Sequence, residues 1–223
     1  MLWEQAHVSH NNTMYTLSQW SPTIYDSLGA TALQTGTYLA VPGVVSFFVN
    51  WVVAAVEMKL MQMGISTRTT RRAVSLVDNS WLAVSLVLMG MANTPLRACL
   101  ASCAVQIGMS FQGMTWGQNC ECTSVSIRFN DFAAPRVRLT RRNLPADYEV
   151  GGPDTALITS MGNLFANLPG IGTTWLGTIM LQRTGSLLPV FVFSGALQLL
   201  CGLFFTSSAE TTAARELLAA KAR

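Results

Sequence analysis

The sequence predicts an all-α membrane protein of about six transmembrane helices, and three observations carry that expectation. Half of the 223 residues are hydrophobic and only 11% are charged, against about 25% charged in soluble domains. The apolar residues fall in long runs, and a run of about 20 is what an α-helix needs to cross about 30 Å of hydrocarbon. The basic residues collect between the runs.

Taken in order, the spans are expected at about 9–28, 33–60, 72–93, 96–118 or beyond, 155–181 and 187–207. The first is the least regular, because Ser18, Gln19 and Ser21 interrupt it and Pro22 is expected to kink it. The second carries the apolar run TYLAVPGVVSFFVNWVV, and the third is clear from Trp81 to Met91. The fourth grows polar past its middle, with Gln112, Gln118, Asn119, Glu121 and Arg128, so that 118–128 reads equally as a loop. Between the fourth and fifth spans, a basic insert at 136–154 holds Arg136, Arg138, Arg141 and Arg142 with two prolines and a Gly-Gly pair, which makes it a loop. The last span, Leu187 to Ser207, contains no charge and only Gln198 as a strongly polar residue. Residues 1–208 thus form one transmembrane unit, and 209–223 a cytosolic tail.

An even number of spans puts both termini on one side. With both in the cytosol, that side receives Arg68, Arg71, Arg72, the 136–142 arginines, Arg215, Lys221 and Arg223, leaving Arg97 and Arg183 opposite. This is the asymmetry of the positive-inside rule. An integral, multi-pass protein of a plasma or organelle membrane is expected, with the lipid bilayer as its first partner. Met1 to His10 lacks the basic and apolar regions of a cleavable signal peptide, so insertion is left to the spans.

Other classes fit less well. The net charge of +3 does not mark a nucleic-acid surface, because the arginines lack interleaved aromatics. The five cysteines form no paired CxxC elements, and Cys120-Glu121-Cys122 lacks the partner ligands of a metal site. There is no P-loop, HExxH, G-x-S-x-G or Rossmann glycine fingerprint, and no enzyme is expected.

The functional information then lies in polar residues inside apolar spans, which are expensive there and face a bundle interior or an aqueous path. The first cluster, HVSHNNTMYTLSQWSPTIYDSLG, brings His10, Thr13, Tyr15 and Gln19 into one segment. A histidine at such a place attracts an anion when protonated, or serves as an ordinary interfacial side chain.

This segment, with histidine, a T-M-Y triplet, and a proline seven residues after the tyrosine, resembles the seventh helix of the anion/cation symporter family of the major facilitator superfamily. That family includes sialin and the vesicular glutamate and plant plastid anion transporters. The 33–60 run, with Pro42, is similar to its eighth helix, and GISTRTTRR at 64–72 to the loop that follows. FNDFAAP at 129–135 is similar to the end of its tenth helix. TALITSMGNLFANLPGIG at 155–172, with Asn163, Pro169, Gly170 and Ile171, looks like its eleventh, and FFTSSAE at 204–210 like the exit of its twelfth.

The resemblance implies the C-terminal six-helix half of a twelve-helix secondary transporter, built as two three-helix inverted repeats. It implies an anionic small-molecule substrate such as phosphate, an acidic sugar or a glutamate-like anion, proton or sodium as coupling ion, and a partner six-helix half. His10, Tyr15, Gln19 and Asn163 are the implied path residues; Glu57, Glu121, Asp131, Arg71 and Arg72 the implied coupling or gating residues. Glu57 reads equally as a surface side chain, and Asn163 as an interhelical hydrogen-bonding residue. The competing expectation is a non-transporting membrane fragment, or a scaffold that binds partners through its basic loop.

Overall fold

The computed structural model describes residues 2–63, 67–116 and 155–208. Among these the chain is entirely helical, as expected: α1 (Leu2–Ser27), α2 (Ala32–Gln62), α3 (Thr67–Gly90), α4 (Pro95–Trp116), α5 (Thr155–Thr184) and α6 (Leu188–Ser208). Each helix covers one of the expected spans. Glu121, Asp131, the insert at 136–154 and the tail at 209–223 lie outside the described residues, as do the side chains of Glu57, Arg71, Arg72 and Asn163.

Local chemistry sets the helix ends. Gly29 takes φ 78° just past α1, and its N–H bonds the Asp26 carbonyl while the Ala30 N–H reaches Tyr25, the paired bonds of a Schellman ending that favours glycine. Thr31 and Gln34 exchange side-chain and backbone bonds as a capping box that starts α2. Thr94 accepts from the Arg97 N–H ahead of α4, with Pro95 at the first helical position. Gly185, at φ 66°, closes α5 through a bond from its N–H to the Leu181 carbonyl. These devices make the connections after α1, α3 and α5 short. The expected disturbance at Pro22 does not break α1, which runs through it as one helix.

The contacts fix the direction of each helix. Tyr15 meets Gly170 and Trp20 meets Gly177, so α1 and α5 run parallel. Tyr38 pairs with Cys99 and Ser46 with Ser110, so α2 and α4 run parallel. Thr13 meets Gln198 and Thr16 meets Ser194, so α1 and α6 are antiparallel. Gly108 packs on Leu82 and Gln112 reaches Asn79, while Gly195 packs on Ala83 and Gly202 on Asn79, so α3 is antiparallel to both α4 and α6. Consecutive helices therefore alternate in direction.

The packing pairs have a further regularity. Exchanging α1 with α4, α2 with α5 and α3 with α6 turns the α1–α5 pair into α4–α2, and the α1–α6 pair into α4–α3; all four are extensive contacts. The α3–α6 pair maps onto itself. Since α1 and α4 point in opposite directions, the two three-helix units are related by an inversion of direction.

Burial is distributed in an unusual way for a helical bundle. Among the described residues, sixteen polar or charged side chains are buried, nearly as many as the eighteen hydrophobic ones, while 28 large hydrophobics stand exposed. The exposed set includes Val44, Phe47, Phe48, Trp51 and Val52 on α2, Val84 and Leu88 on α3, Ile171 and Trp175 on α5, and Leu200 on α6. Soluble bundles bury the apolar stripe and expose the charges; here the exterior is the apolar side. Among the described residues two helices are long and apolar enough to cross a membrane, α2 over Ala32–Val56 and α3 over Ala73–Gly90. The last helix, expected as the plainest span, has a shorter apolar stretch, Leu188–Leu203. In α1 the apolar run is diluted by the polar residues that turn inward.

The interior is divided along its length. Tyr25, Tyr38, Ala98 and Cys99 pack at the end bearing the short connections, where the two tyrosine rings lie 5.5 Å apart. His10, Asn12, Asp78, Asn79 and Gln112, among the larger buried polar side chains, lie toward the opposite end, in the first half of α1, at the middle of α3 and in the last turns of α4.

Candidate functional site

Two polar groupings meet on α1. One faces outward and follows the seam between α1 and α5; the other is fully enclosed.

The seam is built by helical spacing. Asn11, Tyr15, Ser18 and Gln19 recur at the three- and four-residue intervals that place side chains on one face. Opposite them, Asn167, Gly170, Thr174 and Thr178 form the matching stripe on α5. The Tyr15 hydroxyl donates to Asn167 Oδ1 at 2.7 Å, and Asn11 Nδ2 reaches the same oxygen at 3.5 Å. Thr174 Oγ1 donates to Gln19 Oε1 at 2.6 Å, and Gln19 Nε2 lies 3.5 Å from the Gly170 carbonyl. At Gly170 a Cβ would sit 3.0 Å from the Tyr15 ring, tighter than ordinary contact, so the ring would have to give way slightly. At Gly177 a Cβ would collide with the indole of Trp20. Gly172, in the same run, faces open space and plays no part in the approach. The seam presents amides and hydroxyls, with no charged group among its described side chains, along an exterior rich in large exposed hydrophobics.

The enclosed grouping joins three helices. Asn79 on α3 donates from Nδ2 to the Ser75 carbonyl at 2.7 Å and to Asp78 Oδ1 at 2.8 Å. Its Oδ1 accepts from Gln112 Nε2 of α4 at 3.2 Å. Gln112 Oε1 in turn lies 2.7 Å from His10 Nδ1 of α1. The direction of every bond follows from the first one. The Ser75 backbone carbonyl can only accept from Asn79, so the Asn79 NH2 points toward it and its oxygen faces Gln112; Gln112 must then donate with nitrogen and accept with oxygen. His10 Nδ1 therefore carries a hydrogen, which leaves Nε2 as the position that gains or loses a proton.

Around this chain, Thr173 donates to Asn12 Oδ1 at 2.8 Å, Thr16 and Ser194 pair at 3.0 Å, and Thr13 reaches Gln198 at 3.5 Å. Three buried polar atoms here have no hydrogen-bond partner: Asn12 Nδ2, Gln198 Nε2 and Asp78 Oδ2. Close packing closes the α3–α6 side, where Gly202 lies against Asn79 so tightly that a Cβ would fall 2.6 Å from the Asn79 Cβ.

The structure thus separates the residues expected on one path. Tyr15 and Gln19 lie together on the seam. His10 does not share that face: it is 4% exposed and hydrogen-bonded into the enclosed chain. The side chain of Asn163 lies outside the described residues, but Asn167, one turn later on α5, occupies the seam. Asn167, Asp78 and Asn79 were not among the expected site residues. Asp78 carries the signal that would have found it, a single ionisable residue within an apolar run. Asn79 and Asn167 are sequence neighbours or one-turn neighbours of residues with such signals.

Among the described residues no group of three or more His, Cys, Asp or Glu side chains is placed to hold a metal ion. Three described cysteines, Cys99, Cys103 and Cys201, are free thiols. No family model matches the chain, and no curated protein matches it as a relative.

Proposed function

We propose that the chain is a six-span, multi-pass membrane unit serving as one half of a secondary transporter for anionic small molecules, working by alternating access, with both termini in the cytosol. The observation that carries this reading is the inversion that relates α1–α3 to α4–α6, inside an exterior that is largely apolar and carries the polar α1–α5 seam. Such inverted repeats place substrate and ion sites where they meet, near the bilayer midplane. A polar stripe facing hydrocarbon would be costly, so the seam is the surface that a second half covers and a solute passes along.

On this reading Tyr15, Gln19, Asn167 and Thr174 offer neutral hydrogen bonds to the solute. His10, just behind them, supplies positive charge when Nε2 is protonated, which favours an anion. Arg68, Arg71 and Arg72 at the start of α3, which the sequence suggested as a loop, and the arginines at 136–142 hold the cytosolic side. Coupling to protons or sodium accompanies the anion.

The test is flux. The 223-residue chain is reconstituted in liposomes, alone and with a candidate partner half, and uptake of labelled phosphate and glutamate is followed with and without proton and sodium gradients. Anion uptake that falls on Tyr15→Phe and Asn167→Leu supports the proposal. Absence of uptake in every combination overturns it and leaves the non-transporting alternative, a scaffold acting through the basic loop.

A further inference from the structure

Asp78 sits in the interior, 2% exposed, on the third helix five residues into its membrane-crossing stretch. Its Oδ1 accepts one amide hydrogen from Asn79, and its Oδ2 has no hydrogen-bond partner. Among the described side chains, the groups facing it from each packed element are neutral or distant. From α4 it meets Gln112 through Asn79; from α6, Gly202 packs on Asn79 and the nearby titratable group is the Cys201 thiol; from α1, His10 is three hydrogen bonds away. The cations with described side chains, Lys59, Arg97 and Arg183, are all exposed. Arg71 and Arg72, about two turns earlier on α3, have side chains outside the described residues.

An ionised carboxylate in this position would be held by nearby amide N–H groups of Asp78 and Asn79 alone, with no cation beside it among the described residues, in a buried site, which is unfavourable compared with taking up a proton. The neutral acid removes the charge and places its O–H at the oxygen that lacks a partner. We propose that Asp78 is a proton-binding site of the bundle, protonated at neutral pH and linked through Asn79 and Gln112 to the charge state of His10.

The link is one of polarity. Amide side chains do not relay protons readily, but their orientation is shared: while Asp78 Oδ1 and the Ser75 carbonyl hold the Asn79 NH2, Gln112 must present its oxygen to His10. Loss of the Asp78 proton leaves a carboxylate that strengthens its pull on the Asn79 NH2, and the polarised chain favours the imidazolium at His10. The proton on Asp78 and a proton on His10 Nε2 thereby oppose each other. If the transporter reading holds, Asp78 makes the coupling ion a proton; the binding site itself does not depend on that reading.

The experiment uses the full chain in lipid vesicles. Asp78–Asn79 is the only Asp-Asn pair in the sequence, so isotopic labelling of aspartate carbons and asparagine nitrogens assigns its carboxyl signal in the unaltered protein. A protonated-acid carboxyl signal at neutral pH, converting to the carboxylate only at alkaline pH, is the expected result. In infrared spectra the matching acid carbonyl band disappears in Asp78→Asn. A carboxylate signal at neutral pH overturns the proposal. So does loss of the acid signal on adding sodium at constant pH, which would assign the site to that ion. Failure of anion flux with the acid signal present would remove the transporter reading and leave the proton site standing.

Discussion

Replacing Gln112 by leucine tests the enclosed chain most directly. Gln112 is fully buried and bridges His10 Nδ1 to Asn79 Oδ1, at 2.7 Å and 3.2 Å. Leucine fills a similar volume but leaves the histidine N–H and the asparagine oxygen without these partners. Orphaning a buried polar group costs about 1–3 kcal/mol in water-soluble proteins, about 2–6 kcal/mol for the two. Interhelical hydrogen bonds within membranes average nearer 0.6 kcal/mol, because the unfolded chain also finds partners, which puts the pair at about 1 kcal/mol. Leucine gains little in return, since lipid tails are as apolar as its neighbours. A loss of about 1–3 kcal/mol is therefore expected for Gln112→Leu in equilibrium unfolding in lipid–detergent micelles, followed by circular dichroism. Gln112→Glu, which retains both bonds when protonated, should recover most of it. The second readout is the ring-nitrogen resonances of His10, which should report a hydrogen fixed on Nδ1 in the parent and a mixture of tautomers in Gln112→Leu. Parental stability together with unchanged His10 resonances would refute the chain.

Three further outcomes are expected. Tyr15→Phe removes a single exposed hydrogen bond to Asn167, so stability should fall by less than about 1 kcal/mol while liposome uptake of the transported anion drops; uptake at the parental rate would take the seam out of the path. Gly202→Ala should destabilise the α3–α6 contact by about 1–3 kcal/mol through overpacking against Asn79, whereas Gly172→Ala, which meets nothing within 4 Å, should be neutral or stabilising by up to about 1 kcal/mol from helix propensity; equal effects in thermal melts would contradict the packing described. Spin labels at Val44, Leu88 and Trp175, all exposed on the outer face, should relax with oxygen and not with a water-soluble nickel reagent in vesicles; the reverse would mean that these faces meet water.

Much of the fold is legible in the sequence because helix length and helix ends are local properties. The apolar runs alone place the six helices, and the T-x-x-Q box, the Thr-Pro start and the two glycines found at the helix ends are each formed within a few residues. The candidate site is legible only in part. That the first helix holds polar residues is plain from HVSHNNTMYTLSQ, and Tyr15 and Gln19 are found together on the seam.

The facing of those residues is decided elsewhere. Asn11 and Asn12, adjacent and chemically alike, both meet α5 but differ in burial, because the 100° step between them leaves Asn11 at the outer edge of that contact, near Asn167, and turns Asn12 to its buried edge, where Thr173 donates to it. His10 is held by a residue 102 positions away and Asn79 by one 33 positions away, and no periodicity within a single helix contains those distances. Composition, spans and caps thus belong to the sequence by itself, since each depends on neighbours along the chain. The division into an outer seam and an enclosed chain ending at Asp78 belongs to the tertiary structure, since it depends on which helix each face meets and in which direction that helix runs.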